Sequence, residues 1–104
     1  MDQNSRQELE DKGWKIGSVA EFLELSPEET MLVEIKLALS RSLKERRQAL
    51  MTQAKLADKI HSSQPRVAKA ENGDESVSIE LLIRAILATG ASPQEIGQVI
   101  ASVG

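Results

Sequence analysis

The chain has 104 residues, enough for one domain with a single hydrophobic core. It has no cysteine, which excludes disulfides, thiolate zinc sites and cysteine nucleophiles. Trp14 and Phe22 are its aromatic residues, so Leu, Ile, Val and Ala must build the core. The polar start and the lack of a long apolar segment argue against a signal peptide and a membrane partner, and we expect a cytoplasmic protein.

The net charge of −3 is distributed unevenly along the chain. Residues 1–34 carry nine acids and three bases, and residues 73–104 carry four acids and one base. Residues 35–72 instead carry nine bases and three acids, a net charge of +6. A basic middle of this kind is typical of a surface that faces phosphates, and an acidic end favours a second, basic partner.

Helix signals dominate the chain. Three residue pairs have the spacing of a capping box: Ser18 with Glu21, Ser26 with Glu29, and Ser92 with Glu95. Thr52, Ser63 and Ser78 are further N-cap candidates, and Gly73 and Gly90 mark helix ends. We therefore predict an all-α protein with helices over residues 19–25, 27–49, 53–60, 64–71, 79–89 and 93–102. Residues 1–25 are expected to form a flexible acidic arm with a short helix, and residues 26–104 the main domain.

The longest predicted helix carries apolar residues at spacings of three and four. This pattern predicts one buried stripe of Leu32, Ile35, Leu39 and Leu43. Arg46 and Arg47 lie near the end of this helix, where a solvated position and a phosphate contact remain equal alternatives.

Two short predicted helices, separated by three residues, form the segment 52–73. Ala57 supplies the small residue that a steep, close helix crossing requires, and Ser63 is placed to cap the second helix. A small core between the helices is expected from Leu56, Ile60, Val67 and Ala70. The turn length, cap and small residue together favour a helix-turn-helix over an ordinary pair of core helices.

This segment resembles the XRE-type, lambdoid-repressor-like helix-turn-helix family. The resemblance covers about residues 36–90 and rests on Thr52-Gln53, Leu56-Ala57, Ser63-Gln64 and Glu71-Asn72-Gly73. It implies a compact lambda-repressor-like domain of about five to six helices. It also implies a sequence-specific transcriptional repressor that binds double-stranded DNA at a palindromic operator as a homodimer, without a cofactor or metal.

The resemblance also assigns roles to residues of the motif. Gln53 would contact a phosphate and brace Gln64, and Gln64 would read a base edge, with adenine as the natural partner. Lys69 would reach guanine or a phosphate, while Arg66 would contact the DNA backbone. Asn72 would bind phosphate through the loop after the second helix of the motif. Ser63, at the start of that helix, completes the expected DNA-binding set.

Three positions depart from the family pattern. His61 stands where the turn usually has glycine, although histidine tolerates a left-handed conformation better than most residues. Ala70 is smaller than the usual Ile or Leu. Pro65 occupies a base-facing position but offers only apolar contact, for example with a thymine methyl group.

Residues 13–29, GWKIGSVAEFLELSPEE, are similar to the leader of a subgroup of HigA-type antitoxins. Such proteins bind a small basic ribonuclease toxin and repress the promoter that the pair shares. The similarity implies the antitoxin of a type II toxin–antitoxin pair, with a stand-alone phage-type regulator as the alternative. Trp14 and Phe22 are expected either to cover the core or to dock the toxin.

The last two predicted helices carry more apolar surface than a small domain easily covers. A dimer interface is therefore predicted from Ile79, Leu82, Ile83, Ile86, Ile96, Val99 and Ile100, with core packing as the alternative. His61 lies near Asp58 and two serines, but neighbours in a tight turn cannot converge on a substrate as a catalytic triad does. We therefore expect no enzyme activity.

Overall fold

The computed structural model describes residues 25–103, all of which form helices or the connections between them. There are five helices in this part of the chain: α1 (Pro27–Leu50), α2 (Gln53–Lys59), α3 (Gln64–Glu71), α4 (Ile79–Ala88) and α5 (Pro93–Ala101). The expected all-α class is confirmed for these residues, and every helix boundary lies within one residue of its prediction. The predicted helix over residues 19–25 lies outside the described residues, apart from Leu25.

Serine and threonine caps explain where the helices begin. Ser26 closes a reciprocal capping box with Glu29, with N···O distances of 2.8 and 3.1 Å, directly before Pro27. Ser92 does the same before α5. The hydroxyl of Ser78 accepts a hydrogen bond from the Leu81 amide at 3.1 Å.

The chain divides into two units, and of these the structure describes residues 25–34 and 35–103. The second unit contains the hydrophobic core, which is built from aliphatic residues of α1 to α5, among them Leu39, Leu43, Leu56, Val67, Leu82, Ile86 and Ile96. Ile35 packs against this core. Leu32 was predicted on the same buried stripe but is 52% exposed, which corrects that part of the prediction.

Arg46 joins α1 to the end of α4 and the start of α5. Its Nε donates a hydrogen bond to the Thr89 hydroxyl at 2.9 Å, and its guanidinium lies 3.7 Å from the Glu95 carboxylate. Arg46 is therefore engaged within the unit rather than on a fully solvated face, and its contact with a phosphate stays a prediction.

Among residues 25–103, no helix combines the length and the apolar character that crossing a membrane would require.

Gly73 and Gly97 provide a matched pair of stability tests. Gly73 follows α3 with φ of 72°, and a Cβ there would lie 2.8 Å from Leu37 Cδ2. Gly97 is helical, and a Cβ there meets nothing within 4 Å. We expect Gly73→Ala to lower the free energy of unfolding by about 1–2 kcal/mol, and Gly97→Ala to raise it by about 0.5–1 kcal/mol.

Urea denaturation followed by circular dichroism measures both changes. A Gly73→Ala variant as stable as the parent chain would contradict the proposed backbone requirement.

Candidate nucleic-acid interface

A tight turn joins α2 to α3, and each helix begins at a hydroxyl cap. The Thr52 hydroxyl accepts a hydrogen bond from the Lys55 amide at 3.1 Å, and the Ser63 hydroxyl accepts one from the Arg66 amide at 3.3 Å. His61 in the turn has φ of 54°, the left-handed conformation that this position requires. The turn therefore forms with histidine in place of glycine, as expected.

The surfaces that α2 and α3 turn toward each other are aliphatic and buried. They comprise Leu56 and Ala57 on α2, Ile60 directly after it, and Val67 and Ala70 on α3. The predicted small core between the two helices is confirmed, including the small side chains that permit close contact.

The opposite face of α3 is polar and exposed. It carries four of the residues predicted to contact DNA: Gln64, Pro65, Arg66 and Lys69. Ser63 and Asn72 flank the helix and are exposed as well. Every predicted contact residue on α3 therefore lies on the side that faces away from the core.

Gln53 is the remaining predicted contact, and it lies half-buried at the start of α2. Gln64 Nε2 donates a hydrogen bond to Gln53 Oε1. The expected bracing of Gln64 by Gln53 is thus present in the structure.

A buried ion pair, which the sequence analysis missed, lies behind these two glutamines. Glu71 is 6% exposed. The Nε and one terminal nitrogen of Arg47 donate to its two oxygens at 2.7 and 2.8 Å. Gln53 Nε2 donates to Glu71 Oε1 at 3.0 Å. Arg47 is therefore neither on a solvated face nor free for a phosphate, which corrects both alternatives considered for it.

One signal in the sequence pointed to this pair. Glu71 is the last residue of α3, where the helix dipole disfavours a negative charge. An acid at that position needs a cationic partner, and Arg47 lies in the last turn of α1.

The pKa of Glu71 reflects two opposing effects. Burial raises the pKa, but the hydrogen bonds from Arg47 and Gln53 and the charge of Arg47 lower it, and the net pKa lies below the ordinary value. The same contact raises the pKa of Arg47, so both groups stay charged near neutral pH.

A family model described as Helix-turn-helix matches residues 43–96, just over half of the chain. The protein belongs to the XRE-type helix-turn-helix family. It is a DNA-binding transcription regulator with a lambda-repressor-like fold. We find no match to it among curated proteins or among solved structures.

The apolar residues predicted to form the dimer surface of this helix-turn-helix protein fall into two groups. Leu82, Ile86 and Ile96 are buried in the core of the unit itself, as the core-packing alternative requires. Four lie partly exposed against that core: Ile79, Ile83, Val99 and Ile100. Of the seven residues, only the second group retains apolar surface outside the core, and the dimer interface itself stays a prediction. Trp14 and Phe22 lie outside the described residues.

We expect the Arg47–Glu71 pair to make the free energy of unfolding of the helix-turn-helix unit fall at acidic pH. Because Glu71 has a lowered pKa when folded, the stabilisation by the ion pair is fully present above the ordinary pKa of an unfolded glutamate. That stabilisation is lost as the pH falls through the lower, folded value. We expect the free energy of unfolding to drop between about pH 5 and pH 3, and Glu71→Gln to weaken this dependence.

Urea titrations at several pH values measure this effect. Asp74 and Glu95 also have lowered pKa values from their serine hydrogen bonds, and their contribution remains in both proteins. An unchanged pH dependence in Glu71→Gln would show that the pair contributes nothing to it.

Proposed function

We propose that the protein is a sequence-specific repressor that binds a palindromic operator as a homodimer. Each subunit inserts α3 into the major groove, and the two α3 helices lie about 34 Å apart, one turn of DNA.

The observation that supports this proposal is the division of α3 into two faces. Val67, Ala70 and Glu71 are buried, whereas the exposed face carries only polar or proline side chains from the first two turns. Many surface helices have a polar outer face, but here that face belongs to the second helix of a tightly joined, capped helix pair. The net charge of +6 over residues 35–72 adds attraction to phosphates.

Roles follow from position on this face. Gln64 and Lys69 lie slightly more than one helical turn apart. We assign adenine to Gln64, and either guanine or a phosphate to Lys69. Arg66 and Asn72 contact the DNA backbone, as does Gln53.

The remaining two residues of the motif contribute differently. Pro65 offers apolar contact to a thymine methyl group. Ser63 acts through its cap on α3, which orients the first turn of the helix toward the groove.

Binding to DNA upstream of the protein's own gene tests these assignments. Gln64→Ala and Lys69→Ala are each expected to weaken specific binding by about 1–3 kcal/mol, because each loses a direct contact with DNA. Fluorescence anisotropy with a labelled duplex measures the affinity, which should also fall steeply with salt.

Gln94→Ala and Arg84→Ala serve as matched controls, since both side chains are exposed outside the motif. Analytical ultracentrifugation of the complex should report two chains per duplex. A Gln64→Ala, Lys69→Ala double variant that binds as tightly as the parent would refute the site assignment.

A second function, neutralisation of a basic ribonuclease toxin, is supported by the acidic first third of the chain and by the leader-like segment 13–29. We propose that Trp14 and Phe22 dock the toxin. A protein without such a partner would be a stand-alone regulator of the phage type.

Co-purification with the product of the adjacent gene distinguishes the two alternatives. We expect the full chain to retain that product, and deletion of residues 1–25 to abolish retention while DNA binding persists. Retention by the shortened chain would exclude this segment as the docking site, and no retention by the full chain would favour the stand-alone regulator.

A further inference from the structure

The buried carboxylate of Glu71 lies two hydrogen bonds away from the amide of Gln64. Gln53 connects them: its Nε2 donates to Glu71 Oε1 at 3.0 Å, and its Oε1 accepts from Gln64 Nε2. The three side chains form one hydrogen-bonded series, the Glu71–Gln53–Gln64 line, from the buried end of α3 to its exposed beginning.

The direction of this line follows from the chemistry of its first member. An ionised carboxylate has oxygens that only accept hydrogen bonds. Gln53 must therefore turn its NH₂ group toward Glu71, which leaves its carbonyl oxygen facing Gln64. Gln64 must in turn present its NH₂ group to that oxygen.

The charge of Glu71 is held by partners on both of its oxygens. Arg47 donates to Oε1 and to Oε2, and it donates a further, longer bond to the Met51 carbonyl at 3.4 Å. Only 13% of the Arg47 side chain and 1% of the Glu71 side chain are exposed. Water therefore competes little for the hydrogen bonds of the pair.

Gln64 is left with a carbonyl oxygen and one N–H for DNA. This acceptor and donor match the N6 amino group and the N7 of adenine. With the opposite orientation, Gln64 would turn its oxygen to Gln53 and present its NH₂ group to DNA. That group matches the two acceptors of guanine, O6 and N7.

We infer that Glu71 is a specificity-determining positioning residue, which acts through Gln53 to hold the Gln64 amide in the orientation that selects adenine over guanine. Glu71 itself touches no DNA in this arrangement. The inference rests on the proposed role of Gln64 in reading a base.

The test uses duplexes that the parent protein selects from a random-sequence pool. Gln64→Ala first locates the base pair that Gln64 reads, as the position where discrimination is lost. Affinities are then compared for duplexes with A·T or G·C at that position. We expect the parent to prefer A·T by about tenfold, and Glu71→Gln to reduce the preference to about threefold or less.

Arg47→Lys is the matched control, because it weakens the ion pair but leaves Glu71 a carboxylate. The Arg47→Lys protein should retain the preference for A·T, even if it unfolds at a lower temperature than the Glu71→Gln protein. Affinity for an unrelated duplex should remain the same in all three proteins, since phosphate contacts are unaffected. Gln53→Leu removes the middle residue of the hydrogen-bonded series and should also lose the preference for A·T. This variant provides a second test if Glu71→Gln does not fold.

Glu71→Gln or Gln53→Leu could keep the full A·T preference at the position where Gln64→Ala loses it. That result would overturn the inference about Glu71 but leave the proposed function of Gln64 intact. An equal loss in Arg47→Lys would also overturn it, since the ion pair would then act only through stability. If the parent selects no sequence, or Gln64→Ala changes no position, the proposed function of Gln64 fails and the inference fails with it.

Discussion

The guanidinium of Arg47 and the carboxylate of Glu71 join the last turn of α1 to the last residue of α3. Two charges removed from water stabilise a fold only when their remaining hydrogen-bonding capacity is used. Here Gln53 and the Met51 carbonyl take part of that capacity. The position of α3 thus depends on a polar anchor at its end as well as on the aliphatic contacts beneath it.

Much of this arrangement could be predicted from the sequence because it depends on local chemistry. Hydroxyl caps and the glycine at 73 mark helix boundaries through short-range hydrogen bonds and backbone conformation, and these boundaries were predicted to within a residue. The exposed face of α3 followed from the same spacing. The side-chain partners of Arg46 and Arg47 were missed, because they lie 24 or more residues away along the chain. An acid at the end of α3 indicates that a cation is needed there, but it does not identify which one.

The dimer surface illustrates a second limit of sequence analysis. Apolar residues at helical spacing identify a buried face, but they do not distinguish burial in the same chain from burial against another. Leu82, Ile86 and Ile96 fill the core of their own unit, and the structure leaves Ile83 and Val99 only partly covered. The packing of α4 and α5 within the unit, which the sequence pattern does not encode, decides to which group each residue belongs.

The outer positions of α3 have few ties to the rest of the fold. Pro65, Arg66 and Lys69 are exposed and their side chains make no hydrogen bonds within residues 25–103. Substitutions at these three positions should cost the fold little stability. Gln64 differs, since its amide is connected to the ion pair. Evolution can therefore vary three positions of this face with little structural penalty, whereas a change at Gln64 also removes its hydrogen bond to Gln53.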